Sequence, residues 1–310
     1  MQNNLFNPEI YSGLRKPLLE ASTLPAWCYS SEDFYQREIG QIFPGNWQFA
    51  GHISQLADPG QYICHEGIGG SVVVMRTQDH GIKAFANSCR HRGSRLLSDR
   101  GSCKSIVCPY HSWVYQTDGK LIRTPGMEEV VGFNKDEFPL LELALETLGG
   151  FIFVHYQTPD SSLKDYLGNL AAMLETHRST EMQFVHSIDF DINSNWKLLA
   201  ENALEAYHTG TVHRKTLGQQ EFCPIDRTAN WTGLLVKDEH SVATMPGDSK
   251  PFPHIKGLDN EASRGTYFTL LFPSTQLVFA QDCMWWLALK PEAVDSTRLT
   301  LARISHQGAG

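Results

Sequence analysis

Two short motifs place two cysteines and two histidines where they could hold a metal centre. The first is Cys89-x-His91 and the second is Cys108-x-x-His111, with sixteen residues between them. A zinc site more often pairs Cys with Cys and His with His at close spacing. In one type of [2Fe–2S] centre, one iron takes two thiolates and the other takes two imidazoles, which two mixed pairs provide. The motifs therefore favour such a [2Fe–2S] centre, and structural zinc is the alternative.

A second group of metal-binding side chains lies further along the chain. Segment Asn193–Thr209 is rich in Ala and Leu and reads as a helix that ends before Gly210. Glu201, Glu205 and His208 are spaced i, i+4 and i+7, so they share a face of that helix. Two histidines and one carboxylate form the triad that binds non-heme Fe(II) and leaves positions open for O2.

The histidines of this second group, His208 and His213, have a plainer interpretation as ordinary core or surface residues. The upstream motifs favour the metal interpretation, because a one-electron cluster and an oxygen-activating iron perform complementary chemistry.

Composition excludes several classes of protein. The 310 residues are 41% hydrophobic and 19% charged, with a net charge of −8. This balance describes a globular protein and argues against nucleic-acid binding. No stretch has the length and apolarity of a membrane span, and the N-terminus lacks the pattern of a signal peptide. The seven cysteines show no disulfide-like spacing. We therefore expect a cytoplasmic protein with reduced cysteines.

The elements that would position both groups change character along the chain. Residues 1–43 contain one predicted helix, Ser30–Ile42, which we assign to a helical N-terminal segment of the catalytic domain. Residues 44–159 contain short β-rich runs separated by turn signals, including a hairpin with Asp118-Gly119 at its turn. The two ligand pairs fall in loops between these runs. An all-β [2Fe–2S] domain is predicted here.

Residues 160–310 are predicted to form a catalytic domain. An amphipathic helix, Ser162–His177, precedes a strand, Phe184–Asp191, and the helix that carries Glu205. More strands follow, at Tyr267–Phe272, Leu277–Ala280, Met284–Leu289 and Thr297–Ser305. The predicted fold class is α+β: an all-β cluster domain and a catalytic domain in which helices flank an antiparallel sheet.

The chain resembles the alpha (catalytic) subunits of Rieske non-heme iron oxygenases, in the aromatic-ring-hydroxylating dioxygenase superfamily. Four motifs carry the resemblance, over roughly residues 30 to 300: CRHRG at 89–93, CPYHSW at 108–113, NWK at 195–197 and ENALEAYHTGTVH at 201–213. The resemblance implies that Cys89, His91, Cys108 and His111 hold a Rieske [2Fe–2S] cluster. It also implies that His208 and His213 ligate a mononuclear Fe(II).

The resemblance implies a catalytic role for Glu205. In such enzymes a carboxylate at this position bridges an iron-ligating histidine and a cluster-ligating histidine of the neighbouring subunit. The implied assembly is a homotrimer arranged head to tail. Many members have Asp here, and Glu resembles a branch that oxidises quaternary ammonium compounds such as betaines, choline and carnitine. No substrate-binding residue is assigned.

The implied reaction is hydroxylation of an organic substrate with O2, as a mono- or dioxygenase. The substrate is an arene or an N-methyl group, and oxidation of an N-methyl group leads to demethylation. Because no Gly-rich dinucleotide motif follows a strand, NAD(P)H must act through a partner reductase, with or without a ferredoxin.

The third iron ligand is missing from the pattern. In the family it is an Asp or Glu on a late helix, whereas Glu292 and Asp295 are predicted to lie in a turn after Pro291. We therefore expect a C-terminally truncated chain whose third ligand lies beyond residue 310. The alternatives are a Rieske-type electron carrier and a non-catalytic homologue. A carrier would need only the first two motifs.

Overall fold

The structure is a computed structural model that describes residues 5–225, 229–237 and 252–306. The α-helices are α1 (Glu32–Gln41), α2 (Leu163–Leu167), α3 (Leu170–Thr176) and α4 (Trp196–Asn202). Short 3-10 helices span Pro8–Arg15, Leu18–Glu20, Ala26–Tyr29, Ile53–Leu56, Lys135–Glu137, Ser179–Glu181 and Ala262–Arg264. None of the helices in these ranges is long and apolar enough to cross a membrane.

Most of the architecture consists of strands, and the predicted α+β class is confirmed. They are β1 (Gln48–His52), β2 (Gln61–Gly67), β3 (Gly70–Arg76), β4 (Ile82–Ala86), β5 (Arg100–Ser102), β6 (Ile106–Val107), β7 (Val114–Tyr115), β8 (Leu121–Arg123) and β9 (Glu142–Leu148). The remaining strands are β10 (Phe151–His155), β11 (Gln183–Ile192), β12 (Phe222–Pro224), β13 (Trp231–Lys237), β14 (Gly265–Leu271), β15 (Thr275–Phe279), β16 (Met284–Ala293) and β17 (Ser296–Ser305).

The first half of the chain builds an antiparallel sheet in the order β1-β10-β9-β4-β3-β2-β5. Successive side chains of a strand point to opposite faces. In β3, Val73 and Met75 therefore pack in a core with the cysteines of the two ligand motifs, while Val72 and Val74 pack in a second core behind the sheet. A separate small sheet, β6-β7-β8, carries the second ligand loop. The ligand loops thus rest on a strand that is buried on both faces.

The second half builds another antiparallel sheet, in the order β11-β17-β16-β15-β14-β13-β12. Phe279, Met284 and Trp286 lie in a core shared with Phe49 and Phe151 of the first sheet. On the opposite face, Leu289 packs in a small cluster with Trp196 and Ala200 of α4. The sheet is therefore the support on which α4 rests.

The predicted helix Ser30–Ile42 is present as α1. Ser31 caps it, because its hydroxyl oxygen accepts a hydrogen bond from the backbone N–H of Phe34 at 3.3 Å. Glu32 and Asp33 occupy the first turn, where the helix dipole favours negative charge.

The single helix predicted over Ser162–His177 is wrong, because two helices fill this range. Gly168 separates α2 from α3 with φ 51° and ψ −125°, a backbone conformation that breaks an α-helix. The apolar spacing survives the break: Leu163, Leu167, Leu170 and Leu174 are all buried.

The helix predicted over Asn193–Thr209 is wrong at both ends. α4 spans only Trp196–Asn202, and Asn195 is its cap. The carboxylate of Glu205 accepts the backbone N–H of His208 at 3.1 Å. In a continued helix that N–H would bond to a backbone carbonyl four residues earlier. The side chain of Glu205 therefore competes with the backbone carbonyl for this N–H, and the chain after α4 forms turns instead of a helix.

Candidate metal centres

The four residues of the first two motifs lie together at one end of the first sheet. The rings of His91 and His111 are 4.7 Å apart between centroids and inclined at 70°. Cys89 and Cys108 are 3% and 2% exposed, whereas the His91 side chain faces solvent. The sulfurs therefore lie inside and the His91 imidazole outside, with the half-buried His111 between them in exposure, which fits two irons with separate Cys and His ligands.

Each ligand loop is closed by backbone hydrogen bonds around its cysteine. The N–H of Cys89 donates to Ser94 O, and the N–H of Cys108 donates to Trp113 O, each at 2.8 Å. Ser112 adopts a φ of 57°, a left-handed conformation, just after the second histidine. These hydrogen bonds fix the backbone of both loops, so the ligand positions do not depend on a bound metal.

Two further observations fit a metal at this site. The Nδ1 atom of His111 is buried and has no hydrogen-bond partner in the described part of the chain, and ligation would satisfy it. Burial raises the pKa of the Cys108 thiol, but the backbone N–H groups of His111 and Tyr110 favour the thiolate and lower the pKa overall. A thiolate is the form that binds iron.

No three His, Cys, Asp or Glu side chains among the described residues converge closely enough to hold one ion.

Two aromatic side chains support the ligands. The indole of Trp113 is 2% exposed and stacks on the His91 ring at 4.9 Å with 13° between the planes. The hydroxyl of Tyr115 lies 3.3 Å from the Cys89 sulfur and accepts the backbone N–H of Arg90 at 3.0 Å. A ligand thiolate carries no proton, so the Tyr115 hydroxyl is the donor to the sulfur.

Tyr115→Phe is expected to lower the reduction potential of the cluster. A donor to a ligand sulfur stabilises the more negative, reduced state. Loss of about 1 kcal/mol of differential stabilisation corresponds to about 40 mV for one electron. Redox titration followed by electron paramagnetic resonance measures the change. Tyr62→Phe, on β2, is the control, and an unchanged potential in Tyr115→Phe would contradict the donor assignment.

The second group converges only in part. The rings of His208 and His213 are 5.2 Å apart between centroids and inclined at 68°. Glu205 bonds to Nδ1 of the His208 ring as well as to its backbone N–H. Burial raises the pKa of Glu205, but the hydrogen bonds from His208 and Tyr207 outweigh burial and lower the pKa overall. An ionised Glu205 holds Nδ1 protonated, which leaves Nε2 of His208 free to bind a metal.

Glu201 does not join this group. Its carboxylate accepts a hydrogen bond from the hydroxyl of Tyr29, with both oxygens at 2.9 Å. The shared face of Glu201, Glu205 and His208 that a long helix would create is absent, because α4 ends at Asn202.

The carboxylates considered for the third ligand lie elsewhere. Glu292 is near the end of β16, and Asp295 is exposed in the turn that leads to β17. The start of α4 lies beside this turn, since Asn195 Nδ2 donates to Val294 O at 2.7 Å. His208 follows the other end of α4. Neither carboxylate therefore lies with the two histidines.

A cleft of about 520 Å³ opens between β2 and the β16–β17 end of the second sheet. Phe49, Phe184 and Trp286 are among its apolar lining residues, and charged side chains of both signs line it, for example Arg100 and Asp189. No residue from 196 to 217 lines it. The cleft is thus separate from the histidine pair.

The chain matches two protein-family models in this order. Residues 46–135 match the Rieske [2Fe-2S] domain, and residues 179–309 match the ring hydroxylating alpha subunit catalytic domain. The first range contains all four residues of the cysteine–histidine motifs, and the second contains Glu205, His208 and His213.

Several characterised proteins are similar in sequence. The carnitine monooxygenase oxygenase subunit of Escherichia coli K12 is 33% identical over 247 residues, which are 75% of this chain and 64% of the relative. The large oxygenase component of a Pseudomonas aeruginosa naphthalene 1,2-dioxygenase system is 36% identical over 63% of this chain and 45% of the relative. The chain therefore spans less than two thirds of the length of either relative.

Solved structures share the fold. A naphthalene 1,2-dioxygenase from Rhodococcus sp. superposes with a TM-score of 0.82 at 22% identity, covering 100% of this chain and 79% of that one. A quaternary ammonium Rieske monooxygenase superposes with a TM-score of 0.80 at 24% identity, covering 92% and 76%.

Proposed function

Because the chain belongs to the family of Rieske ring-hydroxylating oxygenase alpha subunits, we propose that it is the oxygenase component of a two-metal system. In this proposal a partner reductase supplies electrons from NAD(P)H, and the protein hydroxylates a small organic substrate with O2. The observation that carries the proposal is that one chain holds both donor sets. The cysteine–histidine pairs converge, and His208 of a separate histidine pair is oriented by a carboxylate.

When bound, the cluster supplies one-electron transfer and the mononuclear iron supplies activation of O2. The chain's own residues hold and orient these groups. Cys89 and Cys108 would hold one iron, and His91 and His111 would hold the other. His208 and His213 hold the mononuclear iron. Glu205 fixes the tautomer of His208.

A head-to-tail homotrimer is part of the proposal. In the described part of the chain no hydrogen bond joins Glu205 to either cluster histidine, although its side chain is 41% exposed. The exposed apolar residues Tyr207 (92%) and Val212 (71%) flank this carboxylate, and Tyr110 (60%) flanks the cluster. Exposed apolar side chains at both sites favour burial against a neighbouring copy. Glu205 of one subunit would then meet a cluster histidine of the next.

The proposed substrate is a quaternary ammonium compound, attacked at an N-methyl group. Two observations support it: Glu rather than Asp stands at position 205, and similar proteins include carnitine and glycine betaine monooxygenase subunits. Hydroxylation of an arene is the second candidate, because the naphthalene dioxygenase component is 36% identical over a shorter range.

One observation supports two non-catalytic alternatives, an electron carrier and an inactive homologue. The described residues provide no carboxylate beside His208 and His213 other than Glu205, which is already bonded to His208. A chain that holds no mononuclear iron would act as an electron carrier or as a non-catalytic homologue.

The proposed organisation is an N-terminal helical segment (1–43), a Rieske domain (44–159) and a catalytic domain (160–310), in a cytoplasmic protein.

Metal and product analysis test the proposal. We expect two irons and two acid-labile sulfides per chain in the cluster, an additional iron that depends on His208, and an electron paramagnetic resonance signal on reduction. With a reductase and O2, carnitine or betaine should yield a demethylated amine and formaldehyde, and naphthalene should yield none of its cis-diol. Absence of labile sulfide would favour zinc. A cluster that reduces but is not reoxidised in the presence of substrate and O2 would favour the carrier.

A further inference from the structure

The N-terminal segment contacts the element that precedes the iron site. Residues 26–38 lie outside both matched ranges, 46–135 and 179–309. Their side chains nevertheless bond to Lys197 and Glu201 of α4, and a longer hydrogen bond of 3.4 Å joins Trp196 Nε1 to Glu38. Lys197 and Glu201 are spaced i, i+4, so these two links grip the same side of the helix.

The first link is a buried ion pair. Lys197 Nζ lies 2.7 Å from Glu38 Oε2, and the two side chains are 8% and 7% exposed. The ammonium also lies 5.6, 5.4 and 5.3 Å from the ring centroids of Tyr29, Phe34 and Trp196. Aromatic faces attract a cation most when water is excluded. The first turn of α4 is thereby tied to α1 and to the 3-10 helix before it.

The second link is the hydroxyl of Tyr29, which donates to the Glu201 carboxylate at 2.9 Å. Burial raises the pKa of Tyr29, and the hydrogen bond to Glu201 raises it further, so the phenol keeps its proton. The last turn of α4 is tied to the same N-terminal segment as the first.

The iron site depends on α4 for its position. α4 has seven residues, too few to be stable by itself. Beyond it, the hydrogen bonds from 203 to 213 are mainly short-range, for example Leu204 N to Glu201 O at 3.0 Å and His213 N to Thr209 O at 3.1 Å. A run of turns that is bonded mainly to itself moves with the helix to which it is attached.

We propose that Tyr29 and Glu38 are positioning residues for the iron site: they fix both ends of α4 and thereby set where Glu205 and His208 lie. The proposal rests on the proposed function, since the site they position is the mononuclear iron site. It gives the N-terminal segment a part in metal binding although neither residue touches the metal ligands.

The test uses the full chain with Co(II) in the mononuclear site as a spectroscopic probe. Tyr29→Phe removes the hydroxyl and keeps the ring near Lys197. Loss of this hydrogen bond should weaken Co(II) binding by about fivefold and alter its visible absorption, while the signal of the reduced cluster stays unchanged. Glu201→Met, which removes the acceptor, should have a similar effect, and the double variant should be no worse than either single variant.

Tyr11→Phe is the matched control. The ring of Tyr11 packs on Trp27 and Phe34 of the same N-terminal segment. Its hydroxyl donates to Leu5 O, away from α4. Equal Co(II) affinity and spectra in the two phenylalanine variants would overturn the proposal.

Failure of the proposed function gives a different result. In that case Co(II) bound to the unsubstituted chain does not absorb through His208, so His208→Ala leaves the visible absorption unchanged. Hydrogen exchange then decides the positioning role: faster exchange at 203–213 in Tyr29→Phe than in Tyr11→Phe supports it, and equal exchange overturns it.

Discussion

Glu205→Gln is expected to lower turnover by about 100-fold while both metal centres stay loaded. Glu205 accepts two hydrogen bonds from His208, one from the ring and one from the backbone. Glutamine offers one oxygen and one NH2 group, so an NH2 group would face one of these two N–H donors. The His208 ring then loses its fixed orientation, and the proposed link to a neighbouring cluster histidine loses its negative charge.

Reoxidation of the reduced cluster by O2 with substrate present is the measurement, followed by the cluster's absorbance. The variant should be reduced as fast as the parent and reoxidised far more slowly. Glu175→Gln, an exposed glutamate on α3, is the control. Parent-like reoxidation in Glu205→Gln would remove the bridging role.

Lys197→Met is expected to cost about 3–5 kcal/mol of unfolding free energy. The substitution leaves the Glu38 carboxylate buried without its ammonium partner, and the hydrogen bond from Trp196 Nε1 at 3.4 Å is a weak replacement. Removal of both charges in Glu38→Leu/Lys197→Met should recover most of the loss, since an apolar pair leaves no unpaired charge. Urea unfolding of the metal-free chain measures these values.

The chain offers a matched exposed pair. Lys237 and Glu221 also form an ion pair, but their side chains are 53% and 74% exposed. Lys237→Met should change stability by less than about 1 kcal/mol, because water screens the pair. Equal losses in Lys197→Met and Lys237→Met would show that burial of the first pair carries no particular cost.

The convergence of the four cysteine and histidine side chains was predictable because the two residues of each pair are close in sequence. Residues two or three apart must share a loop, and the alternation of β3 places both loops over one core. Five of the seven strands of the second sheet were likewise predicted from their apolar runs, although β11 and β16 are longer than expected and β12 and β13 were not predicted. Sequence spacing alone decided these features, and no distant contact was needed.

The segment after α4 was not predictable from helix propensity. Alanines and leucines favour a helix through Thr209, but one carboxylate, Glu205, takes the N–H that the helix would use. The same residue type four positions earlier bonds to Tyr29 instead. Which glutamate serves the histidines is decided by tertiary contacts, and no period in the sequence contains that information.

The two anchors of α4 also impose an order on folding. Glu38 and Lys197 are 159 residues apart in the chain, and Tyr29 and Glu201 are 172 apart. At about 5–20 residues per second, roughly 8 to 30 s of synthesis separate the two partners of the ion pair. During that interval Glu38 remains hydrated, since burial without its partner is costly. Tyr29 and Glu38 therefore reach their final positions only after α4 has been synthesised.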